Sequence, residues 1–428
     1  MSKEIVAPPP VARREIAAWC FFDFANSAYT TLIITVAYSI YFTQVVAKEG
    51  GEQFWGWGYS ASMLIIALIS PVLGAVSDFS ATKKRFLLFF TFICVIATGL
   101  MVFVKEGDVW LGIILLVISN IGFAGGITFY NAFLVEISDR DSMGRISGYG
   151  WAVGYVGGLL CLALAYPLMK GGFAPENLDT FRLSFLMTAA FFLVASLPTF
   201  LILKERARPL PLAPGQHYWG VGFKRVRETL REIRGFRQLT RYLIAYLIYT
   251  DGVDTVIVFA AIFATVTLKF TSQEVLIYFL VTQITAGIGA WVFGPITDRL
   301  GGKKTINITL LIWIGVVLAS FLVQTKTQFY VIGLVAGIAL GSNQAASRAL
   351  LGKFIPSGRN AEFFGFFSLV GKFAATIGPI VYGEIAAATG SNRPAVLSIA
   401  AFFVIGLLLL ARVNEPEGIE EARRHETA

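Results

Sequence analysis

Twelve apolar runs, each near the 20 residues that a helix needs to cross about 30 Å of hydrocarbon, recur along the chain. They fall at about 17–43, 57–77, 86–104, 110–135, 147–169, 183–203, 242–268, 274–297, 305–323, 328–347, 363–388 and 395–412. In hydrocarbon every backbone N–H and C=O needs a partner from its own segment, so each run predicts a transmembrane helix. Composition agrees: 56% of the 428 residues are hydrophobic and 14% charged, against about 25% charged in soluble domains. The mean hydropathy of +0.69 excludes a soluble enzyme, a disordered chain and a collagen-like one. The expected fold class is an all-α polytopic membrane protein.

Lysine and arginine orient the spans, because they accumulate in cytoplasmic loops. With both termini inside, the outer loops hold only Lys48, Lys105, Lys170, Arg182, Lys269, Lys326 and Arg393 of 35 basic residues. Lys372 lies within a span. The apolar run after Arg13 and Arg14 is too long for a signal peptide and lacks a small-residue cleavage site, so it is expected to remain as the first span. The three cysteines lie in apolar stretches without CxxC spacing, and the two histidines fall in a loop and a tail. A disulfide framework, a metal site, a cofactor and imidazole catalysis are therefore not expected.

The long connection divides the chain into a cytoplasmic N-tail (1–16), a six-helix bundle (17–203), a cytoplasmic loop (204–241), a second six-helix bundle (242–412) and a charged C-tail (413–428) expected to be disordered. Within the loop, Phe223, Val226, Leu230 and Ile233 share one helical face among arginines and lysines. Flanking spans make this an amphipathic helix on the anionic inner leaflet rather than a nucleic-acid contact.

The halves repeat one another. Gly74-x-x-x-Asp78 with Lys83-Lys84 stands between spans 2 and 3, and Gly294-x-x-x-Asp298-Arg299-x-Gly301-x-Lys303-Lys304 stands 220 residues later. Gly148 and Gly154 match Gly365 and Gly371, and Asp23-x-x-Asn26 matches Asp251-x-x-Asp254. Such recurrence argues for a duplicated six-helix unit.

The GxxxD(R/K)xGxKK loop, complete in the second copy and lacking its basic residue and glycine at Phe79 and Ala81 in the first, resembles the signature of the major facilitator superfamily. Trp19-Cys-Phe-Phe-Asp23-Phe-Ala-Asn26-Ser27-Ala-Tyr29 and Asn343-Gln344-Ala-Ala-Ser347-Arg348 resemble its vacuole-effluxer branch, the bacterial relatives of an autophagy-linked fungal exporter. The resemblance implies two pseudo-symmetric six-helix bundles with spans 1, 4, 7 and 10 around a central cavity and spans 7 and 11 adjacent. It also implies amino acids as a candidate solute and efflux as a candidate direction. In that fold Asp78 is expected to face the start of span 11 and Asp298 the start of span 5, a cytoplasmic gate to which Gly74, Gly294, Arg299 and Arg348 are assigned.

Charges inside spans are informative on their own, since each costs about 2.5–3.5 kcal/mol at a helix centre. Asp23, Asp251, Asp254 and Lys372 are the deep ones, assigned to proton or substrate coupling. Asp23, Asn26, Ser27 and Thr30 form a polar stripe at helical spacing. Together with Tyr130, Asn131, Gln283, Asn343, Gln344, Ser347, Ser368 and Thr376 they are expected to line the cavity. Asp254 and Lys372 form either a static pair or a switch that follows the transport cycle. Asp23 either pairs across the cavity or is protonated at rest, and Asn26 either lines the cavity or packs locally. Glu136 and Arg348, near helix ends, could reach water, and Lys83, Lys84 and Arg85 read as topology signals.

The expected function is a secondary active transporter, not an enzyme, in the plasma membrane. It would work as a monomer by alternating access on a small polar solute, with protons as the coupling ion. An uncoupled facilitator and a lipid- or lysolipid-moving protein are the alternatives.

Overall fold

The computed structural model describes residues 11–212, 215, 217–231, 233–374 and 377–425. Twelve helices long and apolar enough to span a membrane occur among them: Arg13–Val46, Gly51–Ser80, Lys83–Phe103, Val109–Ile137, Met143–Met169, Pro175–Ile202, Arg237–Thr267, Gln273–Leu300, Gly302–Leu322, Lys326–Phe354, Asn360–Thr389 and Asn392–Ala411. They are called spans 1 to 12. Their surfaces carry exposed Leu68, Phe89, Ile96, Val194, Leu201 and Leu322. Side chains of that kind, repeated around the bundle, suit contact with lipid tails and not with water.

Local sequence sets several span limits. Thr271 with Glu274 and Thr325 with Gln328 form capping boxes that begin spans 8 and 10. The far parts of spans 1 and 7 widen into π-helix, with Ala37, Ala47 and Leu268 donating to the carbonyl five residues back. Inside each half, small residues bring helices together. A Cβ on Gly157 of span 5 would lie 2.0 Å from the Phe24 carbonyl of span 1, so only glycine permits that approach. The halves meet where span 2 packs on span 11 and span 5 on span 8.

Two expectations outside the spans are corrected. The tail is ordered over its described residues: Glu415–Arg424 is a helix, begun by the Asn414 side chain, which accepts from Glu417 N. The loop helix, Tyr218–Arg231, does not rest on membrane alone. Gly222 packs against Val72 and Val76 of span 2, and Thr229 hydrogen-bonds Glu362 of span 11. Phe223 and Leu230 remain exposed on another face, while Ile233 belongs to a separate short turn, Ile233–Phe236.

Replacing Gly157 with leucine is expected to separate spans 1 and 5 and lower the thermal unfolding midpoint in detergent, at a cost of about 1–3 kcal/mol or more. Gly315→Leu, where nothing lies within 4 Å of the added carbon, is expected to leave the midpoint unchanged.

Candidate functional site

The face of the bundle that carries the termini is closed. Asp78, at the end of span 2, accepts from the backbone N–H of Glu362 at 2.9 Å, in the first turn of span 11. Asp298, at the end of span 8, accepts from the N–H groups of Gly144 and Arg145 at 2.6 and 3.1 Å, in the first turn of span 5. Each carboxylate thus meets unpaired donors and the positive end of a helix dipole in the opposite half. Glycine brings the backbones near enough for this: a Cβ on Gly74 would lie 2.2 Å from the Ala361 carbonyl, and one on Gly294 3.0 Å from Arg145 Cα. Arg299 stands apart; it is exposed and makes no hydrogen bond or ion pair among the described residues.

Lys83 is more than a topology signal. Its side chain is 1% exposed and pairs with Asp78 at 3.2 Å and Glu136 at 2.8 Å. The ammonium offsets the desolvation of both acids, which is why Glu136 turns inward and does not reach for water. Lys84 and Lys303 hold their own halves together. Lys84 Nζ donates to the Leu203 carbonyl at 2.6 Å, and Lys303 Nζ to the carbonyls of Ala411 and Val413 at 3.0 and 2.6 Å. Glu205 accepts from the N–H groups of Lys83 and Lys84, and Glu415 from those of Gly302 and Lys303. Burial pushes the Glu205 carboxyl up, and the Lys84 and Lys83 N–H groups with the Lys83 charge pull it down.

Arg348 ties the halves together deeper in the bundle. It is buried, and Nη1 donates to Asp23 Oδ2 of span 1 at 3.1 Å and to Asn131 Oδ1 of span 4 at 3.2 Å. Nε donates to Ser147 Oγ at 2.9 Å and Nη2 to the Ser147 carbonyl at 2.7 Å, both on span 5. The guanidinium carbon lies 4.9 Å from the Trp19 ring centroid, 5.3 Å from Trp151 and 5.7 Å from Tyr130. Asp23 therefore pairs across the halves, and Arg348 does not reach water. Beside this cluster Tyr155 Oη donates to Gln344 Oε1 at 2.6 Å, again from span 5 to span 10.

The single polar cavity expected from spans 1, 4, 7 and 10 divides into several environments. Ser27 and Thr30 donate to carbonyls of their own helix, and Ser27 faces Gly154 of span 5; Asn26 is buried with its amide nitrogen unpaired among the described residues. Asn343 donates to Thr309 of span 9 at 2.9 Å, and Ser347 hydrogen-bonds Tyr249 at 2.8 Å while its carbonyl accepts from Tyr242 at 2.7 Å. These are packing contacts within the second half. Tyr130 is stacked on Trp19 and Phe22. Gln283 and Ser368 are half-buried, and Thr376 lies outside the described residues. Asp251 accepts from the N–H groups of Ile377 and Gly378 at 3.2 and 2.9 Å, where the second helical part of span 11 begins.

Asp254 and Lys372 do share a cavity. It has about 740 Å3 and lies toward the face opposite the termini, where Ile34 of span 1, Trp55, Tyr59 and Met63 of span 2 and Ile257 of span 7 also line it. Each charge lies within electrostatic reach of the other. They make no ion pair within 4.0 Å among the described residues. An acid and a base stand unclosed in an aromatic-walled space, while the opposite side of the bundle is shut.

A family model described as "Vacuole effluxer Atg22 like" matches residues 57–143 and 136–423. The chain is 30% identical over 407 residues to the uncharacterized MFS-type transporter YxiO of Bacillus subtilis, covering 93% of this chain and 94% of that one. It is 25% identical over 483 residues to autophagy-related protein 22 of Kluyveromyces lactis, covering 98% and 97%. Among solved structures it is similar in fold to the major facilitator transporter FucP in its outward conformation (TM-score 0.72, 15% identity, covering 94% of this chain and 100% of that one). The proton:xylose symporter XylE matches with TM-score 0.71 and 15% identity, covering 96% and 98%. The chain belongs to the Atg22-like vacuole-effluxer family of major facilitator transporters.

Removing one partner of the buried Asp23–Arg348 pair strands the other, at about 3–5 kcal/mol. Asp23→Ala and Arg348→Ala are each expected to lower the unfolding midpoint, and the double variant to fall by less than their sum. A cysteine at Ala345, buried beside Ser147, is expected to react several-fold faster with a water-soluble maleimide once Asp298→Ala removes the cap on span 5.

Proposed function

We propose that this member of the Atg22-like family is a secondary active transporter that moves a zwitterionic solute, an amino acid, by alternating access with protons as the coupling ion. The observation that carries the reading is the Asp254–Lys372 cavity. A carboxylate and an ammonium that do not close on each other match the ammonium and carboxylate of a free amino acid, and Trp55, Tyr59 and Met63 offer apolar surface for a side chain. When the solute's carboxylate takes Lys372, Asp254 loses its nearby positive charge. A proton or the solute's own ammonium then replaces it, which links occupancy to protonation.

Alternating access needs a barrier that opens. The caps at Asp78 and Asp298 and the Arg348 cluster are assigned that role, because all join one half to the other. Each is an exchangeable polar contact whose groups can be rehydrated on opening. We place it in the cell membrane with both termini in the cytoplasm, the orientation that the lysine and arginine distribution supports, so that the Asp254 cavity faces outward in this state. We take the functional unit to be the monomer, since the cavity is completed within one chain.

One observation favours a second reading. Leu64, Val258 and Phe373 line the cavity and are each at least half exposed, apolar surface that would also admit an amphipathic, lipid-like solute.

Purified protein is expected to be stabilised by amino acids and not by their N-acetyl or amide derivatives. Lys372→Ala is expected to weaken that effect at least about tenfold, or 1.4 kcal/mol. In proteoliposomes Asp254→Asn is expected to keep solute exchange but lose accumulation driven by a proton gradient. Equal stabilisation by these singly charged derivatives would remove the zwitterion, and by lysophospholipid alone would favour the second reading. Accumulation undiminished in Asp254→Asn would remove that residue's coupling role.

A further inference from the structure

A second cavity, larger than the one at Asp254, lies on the side of the termini, wholly within the first half. It has about 980 Å3 and runs between span 1 and span 5, on the scale of sites that hold drug-sized ligands. Along span 1 it is lined by Arg13, Ile16, Cys20 and Phe21, and along span 5 by Arg145, Ile146, Tyr149 and Val153. At 1.5 Å rise per residue these stretches extend about 15 Å from the helix ends toward the membrane interior.

Polarity changes in one direction along that length. The charged residues stand at the mouth: Arg13, Arg145 and Arg206, with Glu136 and Asp139 on the span 4 side. The deeper walls are apolar, and Phe21 is 43% exposed in the absence of any partner chain. The charges are not equivalent. Glu136 is held by Lys83 and by the backbone N–H of Arg206, and Arg206 is held by Glu15 at 3.0 Å. Arg13 makes no ion pair among the described residues, and it is exposed. Arg145 is 54% exposed along its side chain, and its Nε reaches Asp298 only at 3.9 Å. Two guanidinium groups at the level of the headgroups are thus left with donors to give, above a trough that hydrocarbon would fill.

From this juxtaposition we infer that the groove between spans 1 and 5 binds an anionic phospholipid of the leaflet on the side of the termini. Its phosphate is held by Arg13 and Arg145, and an acyl chain lies along Ile16, Cys20, Phe21, Tyr149 and Val153. Guanidinium matches phosphate by paired N–H donors, and basic pockets between helices at the cytoplasmic side suit anionic headgroups. A soluble anion would use the arginines and leave the apolar trough wet; a neutral lipid would fill the trough and leave the arginines unused. Only an anionic lipid uses both. The inference does not depend on the solute or on the coupling ion.

The test uses the full chain in nanodiscs of phosphatidylcholine with and without phosphatidylglycerol. Phosphatidylglycerol is expected to raise the unfolding midpoint of the unaltered protein and to persist on it in native mass spectra. Arg13→Ala with Arg145→Ala is expected to lose at least two-thirds of that shift. So is Val153→Trp, which fills the trough and keeps both charges. Should the double variant not fold, Arg13→Gln alone takes its place, with Val153→Trp as the independent arm. Glycerol phosphate added to phosphatidylcholine nanodiscs is expected to do nothing. A full phosphatidylglycerol shift in both kinds of variant would place the lipid elsewhere and overturn the site. A shift reproduced by glycerol phosphate would make it a soluble-anion site, and a shift reproduced by the zwitterionic phosphatidylethanolamine in place of phosphatidylglycerol would remove the part of the headgroup charge; either overturns the inference.

Discussion

The first N–H groups of a helix have no partner inside the helix, and on the termini side of this bundle four such starts are met by carboxylates from elsewhere in the chain. Asp78 serves span 11 and Asp298 serves span 5, each across the two halves. Glu205 serves span 3 and Glu415 serves span 9, each within its own half. The two kinds have different consequences. The caps inside a half tie the last connection to a helix start and make each six-helix unit rigid. In the proposed alternating access, the caps between halves are the contacts that would have to break. The same chemical group thus makes contacts within a half in one pair and between the halves in the other.

Arg348 extends that logic inward. A buried guanidinium is tolerable only with its donors engaged, and here spans 1, 4 and 5 supply them through Asp23, Asn131 and Ser147, with Trp19 and Trp151 against its planar faces. Because those partners all belong to the first half and Arg348 to the second, the cluster is also a joint. Its opening would expose polar groups suited to water, whereas an apolar joint of the same size would have to be wetted. In the alternating access proposed above, that difference would keep the two states close in free energy.

The duplicated unit is visible in these contacts more sharply than in residue identity. Lys84 and Lys303 bind equivalent carbonyls, and Glu205 and Glu415 equivalent N–H pairs. Yet Phe79 and Arg299 stand in equivalent places with unlike chemistry, and the buried lysine comes from a different element in each half: Lys83 at the start of span 3 pairs with Asp78 and Glu136, whereas Lys353 at the end of span 10 lies 3.6 Å from Glu415 and within electrostatic reach of Asp298. Both halves thus carry a buried lysine on the termini side, and the acid and base that face the other side, Asp254 and Lys372, both belong to the second half.

Spacing of apolar runs and the placement of lysine and arginine were enough to determine twelve helices, their order and the division into two halves. Both are one-dimensional consequences of bilayer thickness and of charge at its surfaces. The GxxxD repeats were legible for the same reason, since a glycine and a carboxylate at a helix end state their needs locally. What the tertiary structure decided was partnership. Nothing adjacent in sequence to Asp23 indicates Arg348, 325 residues away, and nothing near Asn343 or Ser347 indicates that their hydrogen bonds stay within the second half. A polar stripe records only that a helix face avoids lipid. Whether that face meets water, a glycine of the next helix or a buried charge depends on crossing positions that long-range packing sets, and so the stripe of span 1 divided between Arg348 and Gly154 while Asp254 and Lys372 kept the open space.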